Sequence, residues 1–328
     1  MRPATKRSDS SPRGAGSQPP APDRRPGELM RELEVVDAGQ LERVLALVLA
    51  SGGRRRASRA HVSAFVDYLS ACELSWTAFC DPAHRDAVLF VLLLPGKTAI
   101  VMLPKLAAIG LRPAEQDCLL RGGLARLAGQ GLYYAQTLIE PEATDKQAAV
   151  RRVGFRHLTR LVYLQRAVAT PPWQAPRPEE ARWVSYRPEG HDAFVRVLAQ
   201  TYEDSRDCPE LSGLRPPEAA IASHRAAGLY DPSLWELAYL EDEAAGCVLS
   251  ALLPDGGAAE LVYMGVVPHW RRRGVGTLLL RRALAQAAAR DARTLTAVAD
   301  ERNTPARNLY ERFGFAPTAV RAAYIYTW

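Results

Sequence analysis

The chain has 328 residues, of which 48% are hydrophobic and 24% are charged, a balance typical of a soluble globular protein. No run of 18 or more apolar residues indicates a membrane span, and no apolar stretch follows the basic N-terminus as in a secretory signal. The net charge is +6, but residues 1–29 carry six basic and three acidic side chains and so hold half of it. The remainder lacks the concentrated basic face of a dedicated nucleic-acid binder.

The five cysteines are an odd number with no CxxC pair, and cysteine and histidine never cluster at the spacing of metal ligands. We therefore expect reduced thiols, a cytoplasmic location and no metal. Arginine supplies 38 of the 42 basic residues, so a single arginine is weaker evidence of function here than in most chains.

Two breaks divide the chain. Residues 1–29 are rich in Pro, Ser, Gly and Arg without an apolar period, which predicts a disordered tail. The proline-rich segment 170–181 predicts an extended linker. The breaks leave domains at 30–169 and 182–328, each of a common domain size.

The two domains show the same predicted order of elements. For the first, apolar patterns predict strands at 76–80, 87–94 and 98–103, a helix near 114–129, a strand at 133–139, a helix ending at 150–155 and a closing strand at 157–165. For the second, they predict helices at 190–202 and 217–228, strands at 234–240, 246–253 and 259–267, a helix at 275–290, a strand at 294–299, a helix at 304–313 and a strand at 319–327.

Shared landmarks support an internal duplication. Pro104 and Pro268 each follow the third strand, and Gly154 and Gly314 each precede a phenylalanine after the last helix. The expected fold class is α/β (α+β), with two domains in tandem, each a mostly antiparallel mixed sheet flanked by helices.

Residues 266–277, VVPHWRRRGVGT, join a predicted strand to a predicted helix through a glycine-containing loop. That arrangement presents backbone N–H groups and a helix N-terminus to an anion. The spacing is neither that of a Walker loop nor that of the dinucleotide GxGxxG. A solvated run of arginines is the alternative interpretation.

This segment resembles motif A of the GNAT superfamily of acyl-CoA transferases, [QR]-x-x-G-x-[GA], with Arg271, Gly274 and Gly276 at the three signature positions. The resemblance implies two GNAT-like domains and acetyl-CoA as co-substrate. Its pyrophosphate would lie on the amides of 272–277 and its pantetheine arm along 264–267. The cofactor-binding residues so implied are Met264, Gly265, Val266, Val267, Arg271, Arg272, Arg273, Gly274, Val275, Gly276 and Thr277.

A second segment, NTPARNLYERFGF (303–315), is similar to motif B of the same family, N-x-x-A-x-x-x-Y-x-x-x-GF. The resemblance implies that Asn303 and Ala306 contact the cofactor arm. It also implies that the Tyr310 hydroxyl faces the sulfur of CoA and protonates the leaving thiolate. The alternative for Tyr310 is a core aromatic residue with a purely packing role.

The acceptor side is less constrained. Glu260 lies on the predicted strand eleven residues before Arg271 and would accept a proton from an amine; the alternative is an exposed strand residue. Asp204, Asp207 and Glu210 lie in a polar segment and would attract a cationic amine, unless they are ordinary loop residues. A nucleophilic Cys208 would need a paired histidine, which the sequence does not indicate nearby.

The first domain lacks these groups. Aligned on Pro104 it places Gly96 opposite Glu260, and aligned on Gly154 it places Ala143 opposite Asn303 and Val150 opposite Tyr310. It is therefore interpreted as a degenerate copy that serves packing or shapes the acceptor cleft.

We therefore expect an N-acetyltransferase that transfers acetyl from acetyl-CoA to a small-molecule or peptide amine by direct attack in a ternary complex. A non-catalytic acyl-CoA-binding sensor is the alternative, and a nucleic-acid protein acting through the basic tail is a third. The oligomeric state and the acceptor remain open at this point.

Overall fold

The computed structural model describes residues 32–50, 54–168 and 181–328. The expected disordered tail, and the expected linker except for residue 181, lie outside these ranges.

The N-terminal half begins with a short edge strand and two helices that pack on one face of the sheet. Three antiparallel strands, a helix, a strand, a second helix and a long closing strand follow. The elements are β1 (Glu34–Val35), α1 (Leu41–Val48), α2 (Arg59–Ala71), β2 (Ser75–Asp81), β3 (His84–Leu94), β4 (Thr98–Met102), α3 (Pro113–Leu127), β5 (Tyr134–Ile139), α4 (Thr144–Arg152) and β6 (Arg156–Ala167).

The C-terminal half repeats that order element by element. Its elements are β7 (Arg182–Ser185), α5 (His191–Tyr202), α6 (Pro217–Arg225), β8 (Trp235–Leu240), β9 (Glu243–Leu252), β10 (Ala258–Val266), α7 (Val275–Ala288), β11 (Thr294–Asp300), α8 (Thr304–Arg312) and β12 (Ala316–Tyr326). The same sequence of strands and helices thus occurs twice among the described residues, as the landmarks predicted.

The twelve strands form one continuous sheet in place of the two separate sheets expected from the sequence. The strand order is β1-β2-β3-β4-β5-β12-β6-β11-β10-β9-β8-β7. The closing strands have therefore exchanged places: β12 pairs with β5, and β6 pairs with β11. A boundary drawn along the chain consequently does not separate the two halves of the sheet.

Helix α7 is fixed against the C-terminal half by a buried polar network as well as by apolar packing. Glu236 on β8 is 3% exposed, and its carboxylate accepts from Arg282 (2.5 and 2.6 Å) and Gln286 (2.8 Å) on α7. Each buried polar atom of this network therefore has a partner, as the cost of desolvation requires. The helix N-terminus is held in a set position relative to β10.

Helix α6 contacts the N-terminal half. The hydroxyl of Tyr68 on α2 accepts a hydrogen bond from the N–H of Gly228 (3.2 Å). A Cβ on Gly96 would stand 2.0 Å from the Ser223 hydroxyl, so the β3–β4 turn lies directly on α6. The helix ends at Arg225, three residues earlier than predicted, and Gly228 adopts a φ of +70° in the turn that follows.

None of the five cysteines, all of which lie in the described residues, forms a disulfide bond. The described residues contain no group of three or more His, Cys, Asp or Glu side chains that could hold a metal ion. Within the same ranges, no helix combines the length and apolar character needed to cross a membrane.

Candidate active site

Strands β10 and β11 run parallel at first and then separate. Their pairing covers only Ala258 to Leu261 on β10, although that strand continues to Val266. A bulge lies between Leu261 and Tyr263, where the register against β9 shifts. Beyond the bulge, no described strand pairs with β10 on the β11 side. Unpaired backbone groups on such an edge are suited to accept an extended chain as an added strand.

The loop after β10 ends in an exposed helix N-terminus. Gly274 is the N-cap of α7, with a φ of +86°, and Arg272 before it has a φ of +65°. The first bond of the helical type runs from the N–H of Leu278 to the carbonyl of Gly274 (3.1 Å), so the amides of 275–277 lack an intrahelical acceptor. No side-chain cap and no acidic residue occupy this first turn. The predicted phosphate site therefore presents free donors at the positive end of a helix.

Helix α8 lies close to this loop. A Cβ added to Gly276 would stand 3.4 Å from the Leu309 side chain, which is tight but not prohibitive. Asn303 is the N-cap of α8, and its Oδ1 accepts from the N–H of Ala306 (3.3 Å). The motif-B asparagine therefore caps the N-terminus of the helix that carries Tyr310.

The structure gives Arg271 a different role from the predicted contact with the cofactor. Its side chain donates to four backbone carbonyls: Glu203 (2.5 Å), Val266 (3.1 Å), Thr201 (3.2 Å) and Asp204 (3.2 Å). Its backbone N–H donates to Pro268 (3.1 Å). With these donors engaged, Arg271 joins the C-terminus of α5 to the end of β10 and is not a free anion ligand.

Tyr310 lies on the inner face of α8 and is 6% exposed. Its ring packs against Phe315, with 5.3 Å between ring centroids. Burial raises the pKa of Tyr310 above its ordinary value, and the nearby Asp207 carboxylate raises it further. The phenol therefore keeps its proton at neutral pH, as a general acid must.

Glu260 lies on β10 opposite Ala251 of β9 and Thr296 of β11. Its neighbours Ala259 and Leu261 belong to the core beneath α7, so Glu260 faces the other side of the sheet. Burial raises the pKa of Glu260. A carboxylate with a raised pKa is a better base near neutral pH than an ordinary one.

The surroundings of Glu260 come from the N-terminal half. Burial raises the pKa of Tyr68 to about 12 and also raises those of Cys72 and Tyr163, and the Glu260 carboxylate adds to each rise. Tyr68 and Cys72 lie at the C-terminal end of α2, and Tyr163 lies on the exchanged strand β6. The candidate base therefore lies at the seam between the halves.

The acids predicted to attract the acceptor are engaged within the protein. Glu210 forms a bidentate ion pair with Arg302 (2.6 and 2.9 Å), which lowers the pKa of Glu210. Asp207 accepts from the N–H of Asp300 (2.9 Å) and from the Asn303 side chain, while burial raises its pKa. The predicted attraction of a cation by Glu210 and Asp207 is therefore replaced by internal contacts. These contacts hold the segment to the β11–α8 turn.

Asp204 is exposed, has a φ of +50°, and accepts from Arg271 through its backbone carbonyl. Cys208 is half-buried, and burial followed by the nearby Asp207 and Asp300 carboxylates raises its pKa. A thiol that holds its proton so firmly is a poor nucleophile, which agrees with the absence of a histidine signal in the sequence.

Two residues that support the site, Asp300 and Arg302, escaped the sequence analysis. Asp300 is fully buried and accepts from the Thr159 hydroxyl (2.6 Å), the N–H of Cys208 (3.1 Å) and Arg302 (2.8 Å). It therefore joins the exchanged strand β6, the acceptor segment and the start of motif B. The only sequence signal was the charged run DER between an apolar strand and Asn303.

The corresponding site in the N-terminal half is closed by its own carboxylates. At the start of α3, the N–H of Arg112 donates to Glu115 (2.9 Å), and in the preceding loop the N–H of Ala107 donates to Asp145 (3.0 Å). Strand β4 ends at Met102, two residues after its last pair with β5, so it lacks the free edge of β10. This half offers neither the edge nor the free amides.

The strand register corrects one alignment. The pairs Thr98–Tyr134 and Ala258–Thr294 are equivalent, which makes Ile100 the counterpart of Glu260 and not Gly96. The prolines misled the alignment because β10 extends further than β4 before its proline.

Ala143 is the N-cap of α4 at nearly the same dihedral angles as Asn303, and Val150 is buried as Tyr310 is, as predicted.

Residues 198–315 match the model of the acetyltransferase (GNAT) family. This range contains both motifs and the edge and loop described above, so the chain carries a GNAT acetyltransferase domain in its C-terminal half. The resemblance drawn from the two motifs is thereby confirmed.

Individual relatives resemble different shares of the chain. Mycothiol acetyltransferase of Beutenbergia cavernae is 37% identical over 98 residues, which span 29% of this chain and only 32% of that protein. Among solved structures, a GCN5-related N-acetyltransferase from Sphaerobacter thermophilus has a TM-score of 0.58 at 20% identity, covering 90% of this chain and 96% of that one. A tandem GNAT protein from the clavulanic acid biosynthesis pathway has a TM-score of 0.54 at 15% identity, covering 90% and 98%. At these identities the two structures establish the fold alone.

Proposed function

We propose that this protein is an acetyl-CoA-dependent N-acetyltransferase whose active site lies in the C-terminal half. The observation that carries the proposal is the free edge of β10 leading into the uncapped N-terminus of α7. An extended arm that ends in a pyrophosphate matches both features at once, and the GNAT family uses acetyl-CoA as co-substrate.

Binding would use backbone more than side chains. Met264 to Val267 would receive the pantetheine arm, and the amides of 272–277 would receive the pyrophosphate, with Ala306 beside them on α8. Arg272 and Arg273 are exposed and would add charge near the phosphates, whereas Arg271 would act only by holding the loop.

The transfer would be direct. Acetyl-CoA supplies an activated thioester, and the amine nitrogen forms the new bond to the acetyl carbon as the carbon–sulfur bond breaks. Glu260 accepts the proton released by the amine, directly or through water, and Tyr310 gives its proton to the departing sulfur. The raised pKa of Glu260 suits its role as a base near neutral pH, and the raised pKa of Tyr310 keeps the phenol protonated.

The acceptor would enter at the seam, where Glu260 meets α2 of the N-terminal half. The acceptor of mycothiol acetyltransferase is the first compound to test, because 98 residues of this chain are 37% identical to that enzyme. The N-terminal half would form a wall of that cleft, since its own cofactor positions are closed.

Calorimetric titration with acetyl-CoA, followed by assay of CoA thiol release with a panel of amines, tests the proposal. In Gly274→Glu the new carboxylate would lie where the pyrophosphate binds, and we expect acetyl-CoA binding to be lost. Gly129→Glu is the matched control, since Gly129 has a similar φ of +84° and equally open space at the end of α3. Equal binding by both variants would refute the loop assignment. Binding by the wild type without turnover on any amine would leave a sensor and refute the enzyme.

A further inference from the structure

The seam that holds Glu260 also contains a cation without a counterion. Arg215 closes the polar segment after α5 and is half-buried. Its Nη1 donates to the Ser223 hydroxyl (2.6 Å), and its guanidinium carbon lies 5.9 Å from the ring centroid of Tyr134 on β5. Within residues 32–50, 54–168 and 181–328, no carboxylate forms an ion pair with it.

Other arginines of the C-terminal half do have a carboxylate partner. Arg282, Arg290 and Arg302 each contact a carboxylate at 2.8 Å or less. Removing a guanidinium from water without a partner costs free energy, and one hydroxyl contact replaces only a small part of its hydration. A guanidinium held half-buried with most of its donors unused is prepared for an anion that arrives from outside.

The residues around Arg215 connect it to the acyl-transfer site. His224 stacks on Tyr263 (5.2 Å between ring centroids) and shares a hydrogen bond with the Tyr202 hydroxyl (3.1 Å). Burial, with Arg215 nearby, lowers the pKa of His224 to about 3, so this imidazole is neutral at pH 7 and adds no positive charge. Tyr263 lies on β10, between Glu260 and residues 264–267, which are proposed to bind the pantetheine arm.

Acids near this cluster do not neutralise Arg215. Glu210 and Asp300 are bound to Arg302, and Asp207 accepts from backbone and amide groups. Arg215 therefore supplies the seam with a positive charge that can select among ligands.

We propose that the acceptor carries, besides its amine, an anionic group, a carboxylate or a phosphate, which pairs with Arg215 where the two halves meet. This inference rests on the proposed acetyl transfer and deepens it, since it assigns a chemical class to the acceptor. It reverses the expectation from the sequence that acids in this segment attract a cation. The guanidinium would bind the anion at one end of the acceptor while Glu260 serves the amine at the other.

Matched acceptor pairs test the proposal with the full chain. In each pair the amine is kept and the anion removed: α-amino acids and their amides, β-alanine and its amide, and glucosamine 6-phosphate and glucosamine. Turnover is measured for wild type, Arg215→Gln and Arg215→Lys. Arg196→Gln is the matched control, since Arg196 is exposed on α5. The amino-acid and phosphate pairs also show which anion is recognised.

We expect the wild type to prefer the anionic member of at least one pair. For that compound, Arg215→Gln should raise KM by about tenfold or more, the effect of losing a charge-assisted hydrogen bond. Arg215→Lys should restore part of the preference, and Arg196→Gln should match the wild type. Unchanged discrimination in Arg215→Gln, or no anionic preference in any pair, would overturn the proposal. A weakened affinity for acetyl-CoA would overturn it too, because Arg215 would then belong to the co-substrate.

Calorimetry of the same pairs against the CoA complex separates this inference from the proposed function. If no amine turns over but the anionic members bind wild type and not Arg215→Gln, the anion site stands and the enzyme assignment fails. If amines turn over without regard to the anion, the enzyme stands and the anion site is wrong.

Discussion

Replacing Arg271 by alanine separates a structural role for this arginine from a role in binding phosphate. The side chain donates to the carbonyls of Thr201, Glu203, Asp204 and Val266, at 2.5 to 3.2 Å. Two of these carbonyls lie in the 202–204 turn that ends α5, where a cation also interacts favourably with the helix dipole. The substitution removes all four hydrogen bonds. The carbonyls of this partly buried loop then have only water as a donor.

The expected loss can be sized from the contacts. A hydrogen bond from a charged donor contributes on the order of 1.5–3 kcal/mol when buried, but Arg271 is half-exposed and its carbonyls can rehydrate in part. We therefore expect Arg271→Ala to lower the free energy of unfolding of the ligand-free protein by roughly 2–4 kcal/mol. In a protein of this size, such a loss lowers Tm by about 3–6 °C.

Thermal unfolding followed by circular dichroism, without acetyl-CoA, measures the effect, with Arg272→Ala as the matched control. Arg272 is exposed and has no comparable set of carbonyl contacts, so its truncation should change Tm by less than about 2 °C. The reasoning is refuted if Arg271→Ala leaves the ligand-free Tm unchanged and instead weakens the binding of acetyl-CoA in a salt-sensitive way. That pattern is expected of a residue that binds a phosphate group.

Three further substitutions probe the chemistry and the network that supports it. Tyr310→Phe keeps the ring packed on Phe315 but removes the proton, so kcat should fall about 10²-fold while the Kd for acetyl-CoA stays the same; an unchanged kcat in single-turnover assays would exclude the acid role. Glu260 must be ionised to act as a base and its pKa is raised above 4.5, so kcat/KM of the wild type should fall as the pH drops through that raised value. In Glu260→Gln this acid limb should flatten at about 10²-fold lower activity, and a retained limb would assign the base elsewhere. Arg302→Ala leaves the buried Asp300 without its guanidinium and should lower the free energy of unfolding at pH 7 by about 1–2 kcal/mol, after allowance for the half-exposed arginine. Although burial opposes ionisation, hydrogen bonds from Arg302 and Thr159 lower the pKa of Asp300 below 3.8. The difference in free energy of unfolding between wild type and Arg302→Ala should therefore shrink as the pH falls through that lowered pKa. A difference that persists at lower pH would contradict this origin.

The local features of this protein follow from short stretches of its sequence. The apolar periods and the punctuation by Gly and Pro predicted most strands and helices, because those signals act within a few residues of chain. Gly274 at the start of α7 and Asn303 at the start of α8 were also predictable, because a cap is a local interaction and each lies in a spaced motif. The degenerate state of the first copy was also visible in the sequence, because Ala143 and Val150 replace the asparagine and the tyrosine of the second copy.

Which distant groups meet depends on the way the chain folds in space. Strand exchange joined two repeats into one sheet, and no local pattern specifies whether a closing strand pairs within its own repeat or across to the other. The Glu203 carbonyl that accepts from Arg271 lies 68 residues away in the chain, and the Arg302 partner of Glu210 lies 92 residues away. Residue type alone therefore predicted anion and cation sites where the fold made internal bonds. The same folding left Arg215 without a carboxylate partner, because pairing of charges depends on what lies within a few ångströms in space and not on spacing along the chain.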